Sequence, residues 1–173
     1  MYPNLSAGAI GVSASMQEEV AYAHKHGFRG CDVDLAAAEQ FGIAQTRDLF
    51  EQNDLIMGGC GLTVEFRQDD ASFRSDLSEL PRWADIAQKL GCTRCSTWVP
   101  SWSDERPFDE QFKLLRGRFR ECAIVLKAHG IRLGLEFLGP KTLRDDHEYE
   151  FISTLSGMLE MADAVGTGNV GLL

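Results

Sequence analysis

The chain has 173 residues, enough for one domain with a sizeable core, and a globular composition that is 44% hydrophobic and 25% charged. Acidic residues outnumber basic ones by 26 to 17, which argues against nucleic acid as a partner because phosphate binding needs clustered Lys and Arg. No run approaches the ~20 apolar residues of a membrane span, and five scattered cysteines make a poor disulfide framework, so we expect a cytoplasmic protein.

A unit of apolar strand, polar loop, amphipathic helix and glycine recurs along the chain. The predicted strands are 5–12, 28–35, 55–62, 93–99, 131–137 and 167–173. Ser15 and Glu18 have the spacing of a capping box and predict the start of the first helix. Apolar residues at helical spacing predict two later helices, over roughly 109–129 and 149–165.

The predicted helix ends carry residues that favour a left-handed backbone. They are Gly27, Gly91, Gly130 and Gly166, with Asn53 in the matching place of the second unit. Strands that alternate with helices in this way predict right-handed βαβ crossovers and a parallel sheet.

Two parallel architectures compete for this pattern. A doubly wound sheet of five strands would be complete in this length, whereas a (β/α)8 barrel typically needs ~250 residues. Because 167–173 has the pattern of a sixth strand without its loop or helix, we expect a TIM barrel truncated after about five and a half βα units. Residues 1–173 would then be one incomplete domain. Strand order separates the two architectures, since a doubly wound sheet reverses direction at a switch point.

Two carboxylates, Asp34 and Glu136, stand near the ends of otherwise apolar strands. In parallel barrels the chemistry lies at the C-terminal ends of the strands. An unpaired charge is costly to bury there, and a hard divalent metal ion is one partner that favours such a carboxylate. Structural roles stay open for both residues: Asp34 could cap the helix that follows it, and Glu136 could pair with a nearby cation.

The loops after the fourth and fifth strands hold further candidates. We expect Trp98 to point toward the barrel mouth, where an indole face can stack on a sugar, whereas Trp102 either does the same or packs under its loop. Lys141, Arg144 and His147 could hold an anionic group such as a phosphate. Acidic neighbours favour the alternative that these three are solvated loop residues.

The sequence resembles the sugar phosphate isomerase/epimerase family, the xylose isomerase-like TIM barrels. The stretches that carry the likeness are HGFRGCDVDL, CTRCSTWVPSW, HGIRLGLEFLGP and MADAVGTGNVGLL. The resemblance covers about the first two-thirds of a family barrel. It implies a divalent metal, Mn²⁺ or Mg²⁺ with Co²⁺ or Zn²⁺ as alternatives, held by Glu, Asp, His and Glu from the ends of strands five to eight. Only the first ligand maps onto this chain, at Glu136.

The resemblance also implies a reaction. A sugar would be isomerised or epimerised by removal of the proton next to its carbonyl, through a metal-stabilised enediolate, with Glu136 as both ligand and acid or base. The candidate substrate-binding residues are Trp98, Asp34, Lys141 and Arg144. The expected partner is a small-molecule sugar or sugar phosphate, without nucleic acid or membrane, and a homo-oligomer of the full-length protein stays open. Because one carboxylate cannot hold the metal tightly, we expect the chain itself to be an inactive fragment.

Two other interpretations stay open. One is a complete five-stranded doubly wound domain that binds a ligand without catalysis. The other is a divergent barrel that has lost its site and serves as a regulatory or assembly subunit. The stretch FLGPKTLR after Glu136 replaces an Asn- and Arg-rich loop of related epimerases, and Asp34 stands where Glu is common. Both differences leave the sugar open.

Overall fold

The computed structural model describes residues 2–173, in which strands and helices alternate. The strands are β1 (Asn4–Leu5), β2 (Gly30–Cys31), β3 (Ile56–Met57), β4 (Cys60–Gly61), β5 (Arg94–Val99), β6 (Trp102–Ser103), β7 (Arg132–Phe137), β8 (Tyr149–Glu150) and β9 (Val170–Leu172). The helices are α1 (Met16–Lys25), α2 (Leu35–Phe41), α3 (Ile43–Gln52), α4 (Asp70–Leu90), α5 (Phe108–Ala128) and α6 (Leu155–Val165). Over this part of the chain, none of the helices combines the length and apolar character needed to cross a lipid bilayer.

The main strands are parallel neighbours in chain order. β1 pairs with β2 and β2 with β3, and the ladder continues from β4 through β5 and β7 to β9. β3 and β4 are two parts of one strand, interrupted at Gly58 and Gly59, so that β3 faces β2 and β4 faces β5. This sequential order is that of a TIM-barrel sheet, as predicted. Within residues 2–173 the order never reverses, so the doubly wound alternative is wrong.

Close packing explains the glycine at the break in the third strand. A Cβ atom on Gly58 would collide with the side chain of Asn4, with the Nδ2 atom only 2.8 Å away. That Nδ2 donates to Asp32 Oδ1 at 2.7 Å, while the Gly58 amide donates to the Cys31 carbonyl at 2.9 Å. A larger residue at position 58 would therefore displace Asn4 from Asp32.

Side chains alternate between two faces along the long strands β5 and β7. Cys95, Leu133 and Leu135 are 3%, 1% and 0% exposed, and they belong to the same core cluster as the apolar residues of α4, α5 and α6. Burying each leucine contributes roughly 1.5–3 kcal/mol. On the opposite face of the sheet, one row of paired residues is small, Gly61, Ser96, Gly134 and Gly171, and the next row holds Trp98 and Glu136. The helix-facing side of the sheet is thus the apolar one.

Most predicted helix ends are confirmed. Ser15 accepts from the amide of Glu18, whose carboxylate accepts in return from the amide of Ser15, so α1 begins with the predicted capping box. The four predicted glycines all have φ between 72° and 78°. Asn53 is the exception, with φ of −99°, and the left-handed residue is Asp54 with φ of 52°.

Three predicted elements are wrong in part. The strand predicted over 28–35 is only Gly30–Cys31, because Asp34 caps α2 and Leu35 begins it. The strand predicted over 5–12 ends at Leu5 and gives way to a 3-10 turn over Gly8–Ile10. That segment is rich in glycine and alanine, which favour strands weakly, and Ile10 stays 70% exposed. The last helix begins at Leu155 rather than near residue 149, because Thr154 caps it by accepting from the amide of Gly157.

A small antiparallel pair, β6 with β8, joins the loop after β5 to the loop after β7. We call this pair, with Asp104 and His147, the loop bridge. The Trp102 indole stacks on the His147 ring with centroids 4.5 Å apart, and His147 Nδ1 lies 2.8 Å from Asp104 Oδ2. Asp104 also accepts from the Glu148 amide at 3.1 Å. Trp102 therefore packs against the loop after β7, and of its two predicted placements the packed one is closer to the structure.

Asn169, just before β9, ties this last strand to the helix layer. Its side chain is buried and its Nδ2 donates to the carbonyls of Ala123 on α5 and Ile131 before β7, at 3.0 and 3.1 Å. Its own carbonyl accepts from the Leu133 amide at 2.9 Å. One side chain thus holds a helix, a strand entry and the next strand together.

Replacing Asn169 should destabilise the fold. In Asn169→Ala the Ile131 carbonyl loses a buried hydrogen-bond donor, so we expect the free energy of unfolding in urea to fall by roughly 1–3 kcal/mol. Asn53→Ala is the matched control, because its Nδ2 makes a single bond to Leu49 at the end of α3. A loss in Asn169→Ala no larger than in Asn53→Ala would contradict the role assigned to Asn169.

The stability of the loop bridge should depend on pH. The hydrogen bond from His147, with a smaller contribution from the Glu148 amide, lowers the pKa of Asp104. A lowered pKa in the folded state means that this contact stabilises above the unfolded value of about 3.9 and is lost as pH falls through the folded value. NMR titration should therefore find a higher Asp104 pKa in His147→Ala than in the wild type. An unchanged pKa of Asp104 would contradict its contact with His147. The control is His26→Ala, at the end of α1.

Candidate active site

The C-terminal ends of the parallel strands lie along one edge of the sheet, which we call the mouth. Glu136 on β7 lies there in register with Trp98 on β5, and paired residues of parallel strands point to the same face. Neighbouring strands are about 4.8 Å apart, so the two side chains start side by side. Both are exposed, whereas Leu135 on the other face is completely buried. The alternation along β7 therefore presents Glu136 away from the helix layer.

The indole of Trp98 has a cationic neighbour. The guanidinium carbon of Arg67 lies 4.2 Å from the Trp98 ring centroid and also 4.2 Å from that of Phe66. Trp98 nevertheless remains 43% exposed, which is unusual for a large aromatic side chain in a strand. The mouth thus offers an aromatic surface beside a carboxylate.

Arg67 lies in the segment between β4 and α4, and its guanidinium forms hydrogen bonds with other groups of this chain. Its Nη2 donates to Thr97 Oγ1 at 2.9 Å and to the Trp98 carbonyl at 2.6 Å. Its Nη1 lies 3.3 Å from Glu65 Oε1. Burial lowers the pKa of Arg67 and the Glu65 carboxylate opposes that shift. No local sequence pattern points to Arg67, because its contacts with Thr97 and Trp98 span 30 and 31 residues.

A second arginine holds the backbone on both sides of Arg67. Arg118 on α5 is buried, and its Nη1 donates to the carbonyls of Phe66 and Gln68 at 2.8 and 2.6 Å. Its guanidinium carbon also lies 4.8 Å from the Phe73 ring centroid. Arg118 therefore ties the segment that carries Arg67 to the helix layer.

Asp34 caps the helix that follows it, which is the structural role that the sequence left open for it. Its Oδ1 accepts from the amides of Ala36 and Ala37 at 2.9 and 3.0 Å, so it caps α2. Carboxylates are favourable at this position because they satisfy free amides at the positive end of the helix. A role of Asp34 in binding substrate stays a prediction. The neighbouring Asp32, which the sequence analysis did not consider, is half-buried and accepts from Asn4.

The two cations of the loop after β7 differ in their surroundings. Arg144 is mostly buried, and its Nη1 donates to the carbonyls of Gly139 and Pro140 at 2.9 and 3.3 Å. Lys141 is 76% exposed and lies 3.8 Å from Asp145. These contacts lie within the loop itself and stabilise its fold. Binding of an anionic group by Lys141 and Arg144 stays a prediction.

The described residues do not assemble a metal site by themselves. Within residues 2–173, no group of three or more His, Cys, Asp or Glu side chains is arranged to hold a metal ion. At the end of β7 this part of the chain supplies one carboxylate, Glu136. Its oxygens suit a hard divalent cation, but one carboxylate falls short of the several oxygen ligands that Mg²⁺ or Mn²⁺ takes.

Comparison with known proteins agrees with this fold. The xylose isomerase-like TIM barrel family matches residues 20–173. A xylose isomerase domain protein from Alicyclobacillus acidocaldarius is 30% identical, with a TM-score of 0.81, covering 93% of this chain and 58% of its own. The IolI protein, solved with a bound zinc atom, is 15% identical with a TM-score of 0.78, and the match covers 99% of this chain and 62% of IolI. A D-psicose 3-epimerase, solved with D-fructose present, is 17% identical with a TM-score of 0.70, and the match covers 92% of this chain and 57% of the epimerase.

These likenesses differ in what they establish. The IolI and epimerase structures, at 15% and 17% identity, show the shared fold alone. None of the curated proteins matches this sequence. The chain spans between 57% and 62% of the length of the three structures. The sequential parallel strands and the match over residues 20–173 show that the chain belongs to the xylose isomerase-like TIM barrel family.

Proposed function

We propose that this chain carries part of the active site of a sugar isomerase or epimerase, acting on a small sugar or sugar phosphate. The observation that carries the proposal is the pairing of Glu136 with Trp98 at the mouth, on the face opposite the buried core. Family membership supports it, because the similar structures include a D-psicose 3-epimerase.

The chemistry assigned to Glu136 is proton transfer. Isomerising or epimerising a ketose requires removal of a proton from the carbon next to the carbonyl, which leaves an enediolate. A carboxylate at the end of a rigid strand can take that proton and return it on the same face to the neighbouring carbon, which isomerises the sugar. Epimerisation would in addition need a second proton donor on the opposite face. The six-residue ladder between β5 and β7 keeps the backbone of Glu136 in place during both transfers.

The role assigned to Trp98 is to bind the sugar ring. An indole offers a flat apolar surface to the C–H face of a sugar while leaving the sugar hydroxyls free for polar partners. Asp34, Lys141 and Arg144 are proposed to contribute polar contacts around this platform. Of these, Lys141 is the most solvent-exposed, at 76%.

We also propose a divalent cation, Mn²⁺ or Mg²⁺, as the cofactor, with Glu136 as the residue of this chain that would bind it. Bound near the substrate, such an ion would supply positive charge next to the oxygens that become negative. The zinc in the similar IolI structure supports a metal in this fold. Since residues 2–173 lack a complete ligand set, the proton transfer above is assigned to Glu136 alone.

Replacing Glu136 should remove the proton transfer. With D-fructose in D₂O and Mn²⁺ supplied, the full-length protein should exchange the proton next to the carbonyl for deuterium, which proton NMR would follow. Glu136→Gln keeps the size of the side chain but cannot accept the proton, so we expect exchange to slow by about 10²–10⁴-fold. Glu160→Gln, exposed on α6, is the control and should exchange at the wild-type rate. Wild-type exchange in Glu136→Gln would rule out this role.

Metal binding by the 173-residue chain alone should be weak. One exposed carboxylate does not replace the tightly held water shell of a divalent ion, so calorimetry with MnCl₂ should show no affinity tighter than about 1 mM. Removal of trace metal with a chelator should leave the thermal unfolding curve unchanged. Micromolar binding that disappears in Glu136→Gln would instead show that residues 2–173 hold a complete site.

A further inference from the structure

We infer that Arg67 is a positioning residue, which fixes the Trp98 indole at the mouth so that its exposed surface is preset for the sugar beside Glu136. The inference rests on the proposed function and adds a residue that the family resemblance did not point to. Its basis is the set of contacts that Arg67 makes with β5 and with its own segment.

The contacts of Arg67 restrain Trp98 in two ways. Nη2 binds the Trp98 carbonyl and Thr97 Oγ1, which fixes the guanidinium relative to the end of β5. The same guanidinium then lies over the Trp98 ring at 4.2 Å, within the range of a cation–π contact. Backbone and ring are thus held by one planar group, and the indole loses rotamer freedom before any sugar arrives.

Contacts with Phe66 and Arg118 support Arg67 and its segment. The ring centroid of Phe66 also lies 4.2 Å from the guanidinium carbon, and this ring is completely buried, 4.7 Å from that of Phe119. Arg118 binds the carbonyls on both sides of Arg67. The backbone that carries Arg67 is therefore anchored to α5.

The hydrogen bonds of Arg67 also indicate how it acts. Its Nη2 donates to two acceptors of the protein, Thr97 Oγ1 and the Trp98 carbonyl, and its Nη1 donates to Glu65. Its Nε is buried without a hydrogen-bond partner. A guanidinium engaged in this way is poorly placed to bind a phosphate of the substrate. Its effect on the reaction passes through Trp98, which makes it a positioning residue and not a catalytic one. Such preorganisation favours binding because the ordering cost is met in the free protein.

The test compares Arg67→Met with Arg82→Met. Arg82 on α4 also lies over an indole, that of Trp83 at 4.5 Å, so Arg82→Met removes the same type of contact from a helix surface. In the full-length protein with D-fructose, we expect Arg67→Met to raise KM about three- to tenfold and to change kcat less than twofold, because the aromatic surface of Trp98 is disturbed and Glu136 is not. Arg82→Met should change neither. An unchanged KM in Arg67→Met would overturn the inference, as would a fall in kcat alone.

A second readout does not depend on turnover. With Trp83→Phe and Trp102→Phe as background, Trp98 is the one remaining fluorophore of its type. Arg67→Met should then increase acrylamide quenching of Trp98 by about twofold, since one side of the indole is uncovered. Unchanged quenching would show that Arg67 does not restrain the ring. If the wild-type full-length protein turns over no sugar while quenching responds, the proposed function fails and the positioning role stands.

Thr97→Val keeps the test decisive if Arg67→Met does not fold. This variant removes one of the two Nη2 bonds and leaves both rings and the guanidinium in place. We expect a smaller change in the same direction, about a twofold rise in KM with a matching rise in quenching. Wild-type values for both in Thr97→Val, in protein shown to be folded by thermal unfolding, would count against the inference.

Discussion

The parallel ladder between β5 and β7 is the constraint on which the site depends. Six consecutive residue pairs, from Arg94 with Arg132 to Val99 with Phe137, fix the register of the two strands. The side-chain period in a strand is two, so a slip of one residue would turn Glu136 toward the helices and Leu135 toward the mouth. The cost of burying a carboxylate and exposing a leucine maintains the register that places Trp98 beside Glu136.

Helix α5 connects this ladder to the loops at the mouth. Phe119, Cys122 and Leu126 bury their side chains in the core, and Arg118 on the same helix reaches the carbonyls on both sides of Arg67. Because protein interiors are close-packed, movement of this helix would be transmitted to both its core contacts and its polar ones. Core packing and the geometry of the aromatic platform are therefore coupled through a single element.

The family relationship and the local contacts explain different things. The family accounts for the sequential parallel strands, while the role of Glu136 at the end of β7 stays a prediction from the resemblance. The local contacts add an arginine, Arg67, whose guanidinium carbon lies 4.2 Å from the ring centroids of both Phe66 and Trp98, and the loop bridge of Trp102, Asp104 and His147. Folds of this kind support varied chemistry because their loops vary while the strands do not.

The sequence by itself determined the features that have a local cause. Strands β5 and β7, the capping box at Ser15 and the glycine ends of the helices follow from periodicity, side-chain caps and backbone freedom, each of which acts over a few residues. Only the tertiary structure decided which polar groups meet. Arg67 reaches Trp98 across 31 residues, and Arg118 reaches Phe66 across 52. Such pairs depend on how whole elements pack, and no local pattern in the sequence specifies the partner.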